Sequence, residues 1–146
     1  MKKLFVTSLL IGCLGTGAVM AQDLKAKDVP DVVKTALAKK YPAATKVSWE
    51  KENGNFEANW GGRSGEDNSA QFSPAGVFVE YEMAIAVSDL PAAVAGYVKK
   101  HYNGASIKEA GKITSANGTV TYEAEVKGKD VIFDANGAFV KESEGD

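Results

Sequence analysis

Residues 28–44 read DVPDVVKTALAKKYPAA, and residues 89–105 read DLPAAVAGYVKKHYNGA. The two stretches align at an offset of 61 residues. FSPAGVFV at residues 72–79 aligns with FDANGAFV at residues 133–140 at the same offset. A fixed period of this length predicts one supersecondary unit used twice in tandem.

Each repeat is predicted to begin with an amphipathic helix. Apolar side chains recur at i, i+3, i+4, i+7 and i+8, which is the spacing of a helix that packs on one side. These apolar positions are Val29, Val32, Val33, Ala36 and Leu37 in the first helix, and Leu90, Ala93, Val94, Tyr97 and Val98 in the second. Pro30 and Pro91 suit the first turn of a helix. Pro42 and the pair Asn103-Gly104 are expected to end the two helices.

Strands are predicted after each helix, because apolar and polar residues alternate strictly in stretches such as 56–60 and 120–126. Asn53-Gly54 and Asn117-Gly118 are typical of tight hairpin turns. The alternation also predicts a sheet with one buried face and one wet face. The expected fold class is α+β, a tandem repeat in which each unit is one helix packed on an antiparallel sheet of about four strands.

A long shared strand is predicted to join the repeats. Apolar residues occupy every second position from Val77 to Val87, and a strand of that length would reach about 36 Å. The stretch lacks the Gly, Ser and Pro composition of a flexible linker. The predicted organisation is a signal peptide at 1–21, an N-terminal lead at 22–27, repeat 1 at 28–87, repeat 2 at 88–142 and an acidic tail at 143–146.

The first 21 residues have the features of a secretory signal peptide: two lysines, a short apolar run and small residues before a cleavage site after Ala21. Cleavage there would leave a chain without cysteine, so no disulfide could stabilise it in an oxidising compartment. Leu10-Ile11-Gly12-Cys13 also resembles a lipoprotein processing box, and lipidation of Cys13 would anchor the protein to the outer membrane. Ordinary cleavage and a periplasmic or secreted location are favoured, because the apolar run before Cys13 is short.

Charge and composition argue against several classes of function. The 146-residue chain has a formal net charge of −2, and so mild a balance gives no electrostatic reason to bind nucleic acid or an anionic membrane. His101 is the only histidine, and it aligns with Lys40, so a simple cation suffices at this position. We predict no catalytic residue, no metal site and no cofactor, and no membrane insertion of the mature chain unless Cys13 is lipidated.

The sequence resembles the PepSY-like, beta-lactamase-inhibitor-like domain family of exported bacterial proteins that are common in Bacteroidota. The resemblance is carried by Asp-Leu-Pro at 89–91, by the helix that ends in Tyr102 and by the Phe-Asp-x-x-Gly hairpin at 133–137, and it covers residues 26–142. It implies a non-enzymatic periplasmic or surface protein that binds or inhibits an unidentified protein partner through the open sheet face and loops. No contact residue is carried over, because the shared motifs are structural. The alternative is a membrane-tethered lipoprotein with a structural or sensory role in the envelope.

A candidate partner-binding patch follows from the predicted sheet faces. If Val77 and Val79 point to the core, Phe78 points outward, and the alignment gives Phe139 the same orientation. Apolar groups rimmed by carboxylates can mark a protein-binding surface. The candidate patch consists of Phe78, Phe139, Ile132, Glu80 and Glu123.

Two alternatives and one further candidate accompany this patch. In the first alternative, Phe78 and Phe139 are not exposed but pack against each other. In the second, bulges at Gly76 and Gly137 shift the alternation, so that the two side chains lie on the other face of the sheet. The irregular stretch 61–68 is interpreted either as a mobile hairpin tip or as a recognition loop with Arg63 as its anchor. Trp49 and Trp60 are assigned to the core.

Overall fold

The computed structural model describes residues 22–144. Within this range the chain forms two α-helices and nine β-strands, which confirms the predicted α+β class. The helices are α1 (Asp31–Lys40) and α2 (Ala92–His101), and one turn of 3-10 helix precedes each of them (Ala26–Asp28 and Val87–Asp89). The strands are β1 (Gln22–Leu24), β2 (Ser48–Glu52), β3 (Asn55–Trp60), β4 (Asn68–Phe72), β5 (Phe78–Ala84), β6 (Ala110–Ser115), β7 (Val120–Val126), β8 (Lys129–Asp134) and β9 (Phe139–Glu144). The predicted signal peptide, including Cys13, lies outside the described residues.

The strands form one sheet in which hydrogen-bonded neighbours follow chain order from β1 to β9. The described chain divides within β5 into two compact units. The N-terminal unit comprises residues 22–80, and the C-terminal unit comprises residues 81–144. Among the described residues, no helix has the length and apolar character needed to cross a membrane.

In the N-terminal unit, strands β1 to β4 pair with their neighbours in antiparallel fashion. Asn53 and Gly54 have φ values of 50° and 82°, and they form the predicted two-residue turn between β2 and β3. Helix α1 packs on β4 and buries Val33 and Leu37. Both tryptophans of this unit are buried, which confirms their assignment to the core.

In the C-terminal unit, strands β6 to β9 are antiparallel and α2 covers one face. Val94 and Val98 of the helix pack with residues of β7 and β8 in a single buried cluster that includes Phe133. The helix ends as predicted, because Asn103 and Gly104 adopt left-handed φ values of 53° and 69°. The Gly104 N–H then donates to the Lys99 carbonyl at 3.1 Å.

The joining strand is shorter than predicted, and the burial of its residues differs from the prediction. β5 spans only Phe78–Ala84, and Val77, expected in the core, is 63% exposed. Glu80 and Glu82, expected on the wet face, are buried. The turn before the strand is tight: Gly76 has a φ of 75°, and its N–H donates to the Ser73 carbonyl at 2.8 Å.

In the C-terminal unit, the strand register shifts beside the turn at Gly137. Gly137 has a φ of 83°, and the β8–β9 register passes from Ile132↔Lys141 to Phe133↔Phe139. Val140 is therefore an extra residue on β9, a β-bulge. The bulge puts Phe139 on the same sheet face as Phe133, which is the face that α2 covers.

The face of the sheet opposite the helices is polar but is not exposed to solvent at the residues described below. Glu50, Glu57 and Gln71 lie in register across β2, β3 and β4, and all three are buried. Side chains of β4 donate hydrogen bonds to these carboxylates: the Ser69 hydroxyl donates to Glu57 of β3, and the Gln71 amide donates to Glu52 of β2 at 3.2 Å. The prediction of a solvent-exposed face is wrong for these residues.

Candidate functional site

Phe78 lies on the helix side of the sheet, not on the opposite face as predicted. Its ring contacts Phe72 with a centroid distance of 5.9 Å and Tyr41 with a centroid distance of 6.4 Å. The Lys40 ammonium lies over the Phe78 ring, 4.2 Å from its centroid. Phe78 is therefore packed against side chains of its own unit.

Phe139 is also on the helix side, but it stays more accessible. Its ring stacks on Tyr97 of α2 at a centroid distance of 5.1 Å and an interplanar angle of 7°, and it meets Phe133 edge-on at 6.5 Å. Phe139 nevertheless remains 41% exposed. The predicted orientation of Phe139 is therefore wrong, while the residue still offers apolar surface.

The structure does not bring the other members of the predicted patch to Phe139. Ile132 and Glu123 face each other on β8 and β7, on the polar face of the sheet, and both are buried. Glu82 fills the space beside Gly111, opposite Glu123, where an added Cβ would lie 1.9 Å from a Glu82 oxygen. Glu80 is buried as well. Within the C-terminal unit, the bulge in β9 thus separates Phe139 from Ile132 and Glu123 on the two faces of the sheet.

Arg63 lies in the connection between β3 and β4, and it is exposed. Gly61, Gly62 and Gly65 all have positive φ, so this connection needs glycine at three positions. The Asp67 N–H and the Gly61 carbonyl close its base at 3.5 Å, and the Asn68 amide donates to the Trp60 carbonyl at 3.3 Å.

A cavity of about 520 Å³ lies beside Phe139, and we call it the aromatic–lysine pocket. Tyr97 and His101 of α2 form its aromatic wall together with Phe139. The three rings are stacked in series, because His101 lies on Tyr97 at a centroid distance of 4.2 Å and Tyr97 lies on Phe139. His101 is thus part of a ring stack at the end of its helix.

The polar wall of the pocket comes from the β7–β8 hairpin and from β9. The Lys129 ammonium donates a hydrogen bond to Glu142 at 2.8 Å, and the Tyr102 hydroxyl donates a hydrogen bond to the same carboxylate. The hydrogen bond from Lys129, supported by that from Tyr102, holds the pKa of Glu142 below its usual value. The hydrogen bond to Glu142 raises the pKa of Lys129. Burial, followed by the bond to Glu142, raises the pKa of Tyr102.

Lys127 completes the pocket from the tip of the β7–β8 hairpin. It has a φ of 55° and precedes Gly128 at 75°, so the two residues form a tight turn. The Lys127 side chain is exposed and forms no ion pair with any described carboxylate. Sequence reasoning missed this residue, although a lysine followed by glycine between two alternating stretches could have indicated the turn.

The described residues contain no group of three or more His, Cys, Asp or Glu side chains with the geometry to hold a metal ion. The carboxylates of the polar face are spread along several strands.

The family model described as "Putative beta-lactamase-inhibitor-like, PepSY-like" matches residues 18–61 and 59–141. The chain belongs to this PepSY-like family. The resemblance seen in the sequence is therefore confirmed. No curated protein matches the sequence.

Solved structures share the fold of this PepSY-like chain. A "putative periplasmic" protein from Bacteroides eggerthii DSM 20697 has a TM-score of 0.68 at 18% identity, over 80% of this chain and 88% of that one. A DUF2874 family protein from Bacteroides uniformis ATCC 8492 has a TM-score of 0.66 at 20% identity, over 79% and 88%. A BLIP-like protein from Bacteroides fragilis NCTC 9343 has a TM-score of 0.60 at 22% identity, over 79% and 85%. At these identities the likeness concerns the fold alone.

Proposed function

We propose that this PepSY-like protein is an exported, non-enzymatic module that recognises another envelope or secreted protein. The contact surface is the exposed start of β9 in the C-terminal unit. Inhibition of the partner is one form that such recognition would take, since one structural neighbour is a BLIP-like protein.

One observation carries the proposal: two adjacent apolar residues are exposed on an edge strand. Phe139 is 41% exposed and Val140 is 44% exposed, and β9 has a strand neighbour on one side only. An exposed aromatic next to unpaired backbone groups is a surface that an extended segment of another protein can use. Stacking on Tyr97 restrains the Phe139 ring before binding, which lowers the entropy lost on association.

Export is supported by the signal-like residues 1–21 and by the periplasmic description of a structural neighbour. A non-enzymatic role is supported by the chemistry at hand. The single histidine is stacked on Tyr97, and the Glu142 carboxylate is bound by Lys129 and Tyr102.

We further infer that the two units are tandem copies of one module. The supporting observation is the constant offset between their elements: Asp31–Lys40 and Ala92–His101, like the two 3-10 turns, start 61 residues apart. The four strands after each helix are consistent with the same interpretation.

The test is site-specific crosslinking in the native cell envelope. A benzophenone amino acid is placed at position 140 in one variant and at position 32 in another. Val32 is the matched control, because it is an apolar residue that is 49% exposed in the N-terminal unit. We expect a discrete crosslinked protein from position 140 only, and we expect Phe139→Ser to remove it.

Equal adducts from both positions would contradict the proposed surface, and so would the absence of any adduct from position 140. A discrete adduct that persists with Phe139→Ser would show that β9 is near a partner but that the aromatic anchor is wrong. The same experiment at Arg63 tests the remaining accessible candidate.

A further inference from the structure

The aromatic–lysine pocket has an apolar end and a cationic end. Phe139 pairs with Phe133 on β8, whereas Lys129 lies four residues earlier on the same strand, about 13 Å away along the backbone. Tyr97 extends the apolar end, and Lys127 extends the cationic end.

The charges of the pocket are unequally matched. Glu142 is bound by both Lys129 and Tyr102, so its negative charge is already compensated inside the pocket. Lys127 lacks such a partner among the described carboxylates, and the tight Lys127-Gly128 turn fixes its backbone. One positive charge is therefore available for a ligand in a chain whose overall charge is negative.

We propose that the aromatic–lysine pocket binds a small aromatic carboxylate. The ligand ring packs on the exposed part of Phe139 beside Tyr97, and its carboxylate pairs with Lys127. The cavity volume of about 520 Å³ lies within the range of small-molecule sites, and its lining combines ring surface with a few convergent polar groups. A free aromatic acid and the aromatic carboxy-terminal residue of a peptide share this chemistry.

This inference goes beyond recognition of a protein through β9 and does not rest on it. A protein partner contacts the outer edge of the strand, whereas the small ligand enters between α2 and the β7–β8 hairpin. Binding of the ligand can therefore be measured with the purified protein and no partner present.

The experiment is a titration of the folded protein with 4-phenylbutyrate, followed by NMR chemical shifts. We expect saturable shifts at Lys127, Lys129 and Tyr97, with a dissociation constant of about 1–10 mM. Replacing the carboxylate, as in 4-phenylbutanol, should weaken binding roughly fivefold, the effect of one partly exposed ion pair. An N-acetylated dipeptide ending in phenylalanine, compared with its amide, distinguishes the peptide source from the free acid.

Substitutions of two lysines test whether Lys127 supplies the positive charge that binds the ligand carboxylate. Lys127→Gln should weaken binding of 4-phenylbutyrate roughly fivefold and leave that of 4-phenylbutanol unchanged. Lys100→Gln is the control, because Lys100 is an exposed lysine of α2 that does not line the pocket. Phe139→Ser should weaken both ligands, and its circular dichroism spectrum should stay native.

Three results would overturn the inference. They are the absence of shifts at about 10 mM ligand, equal affinity for 4-phenylbutyrate and 4-phenylbutanol, and an equal effect of Lys127→Gln and Lys100→Gln. None of these results bears on crosslinking from position 140.

Discussion

The aromatic clusters beside the two helix ends use different side chains at aligned positions. In the N-terminal unit, Tyr41 packs between Trp60 and Phe78, at centroid distances of 5.3 and 6.4 Å, and Lys40 covers Phe78. In the C-terminal unit, Tyr97 takes the central place, with His101 on one side and Phe139 on the other. The position aligned with Tyr97 is Ala36, and the position aligned with His101 is Lys40.

The difference shows that the aligned phenylalanines Phe78 and Phe139 can be either covered by a neighbouring side chain or left accessible. A lysine over Phe78 shields the ring with its own aliphatic stem. A flat imidazole stacked on Tyr97 leaves Phe139 uncovered, and the aromatic–lysine pocket lies beside it. The ring of Phe78 is thus covered within its unit, whereas Phe139 keeps the exposed ring surface on which the proposed binding depends.

The largest expected effect is the loss of stability on removing the buried phenylalanine that each of the two clusters contains. Phe72 and Phe133 are completely buried at aligned positions under the two clusters. Phe72→Ala and Phe133→Ala should each lower the free energy of unfolding by about 3–5 kcal/mol, because each leaves a large cavity. Urea denaturation followed by circular dichroism measures both.

Tryptophan fluorescence adds a local probe, because Trp49 and Trp60 both lie in the N-terminal unit. Val32→Ala is the surface control and should change the free energy of unfolding by less than about 0.5 kcal/mol. If either alanine substitution lowered the free energy of unfolding by less than about 1 kcal/mol, the aromatic cluster at that phenylalanine would not stabilise its unit.

The second prediction compares the loss of stability caused by substitution at Gly76 and at Gly137, the two aligned turn glycines. Gly76→Ala should destabilise more than Gly137→Ala, because the new Cβ would lie 2.9 Å from the Val32 carbonyl oxygen in the first case and 3.0 Å from Pro91 Cβ in the second. Both also carry the left-handed penalty of about 1–2 kcal/mol.

Gly118→Ala is the control for that penalty alone, since an added Cβ there meets nothing within 4 Å. Thermal unfolding of the three variants gives the order. Equal destabilisation by all three would show that the helix contacts at Gly76 and Gly137 contribute nothing.

The third prediction concerns the lysine that covers Phe78. Lys40→Met keeps the aliphatic stem but removes the charge 4.2 Å from the ring centroid, and it should cost about 0.5–1 kcal/mol. Lys39→Met is the control, since Lys39 is exposed on the same helix turn. Urea denaturation of both variants measures the difference, and an equal effect would argue against a specific cation–π contact.

The smallest effect is the pH dependence that the Glu142 ion pair gives to the C-terminal unit. The pKa of Glu142 is lowered in the folded protein from its ordinary value of 4.5, mainly by the hydrogen bond from Lys129. The stability from this bond is therefore complete above about pH 4.5 and is lost as the pH falls through the lower folded value. Glu142→Gln should be slightly less stable than the wild type at pH 7 and equally stable once Glu142 is protonated. Thermal unfolding from pH 7 to pH 3 measures this, and a constant difference at all pH values would exclude the ion pair as its source.

Local chemistry made much of the fold predictable. Asn53-Gly54 forms its hairpin, and Asn103-Gly104 ends its helix, because these residues tolerate left-handed backbone at little cost. The orientation of Phe139 on β9 was not predictable from alternation, since one extra residue at a bulge moves the side chains beyond it to the other face.

The candidate site was only partly predictable. Phe139 was identified, but its neighbours Tyr97 and Lys127 lie far apart in the sequence, and only the packing of α2 on β8 and β9 brings them together. Tyr97 occupies a helix position whose spacing predicts burial, so periodicity gives no sign that its ring also forms a pocket wall.

The order of residues along β9 has a consequence for solubility. The strand begins with Phe139 and Val140, but Lys141, Glu142 and Glu144 follow at once. Charged residues along an exposed strand deter indiscriminate pairing with other chains, and they often flank segments that would otherwise aggregate. The charged residues that follow Phe139 and Val140 on β9 thus limit non-specific strand pairing at the edge that exposes these two apolar side chains.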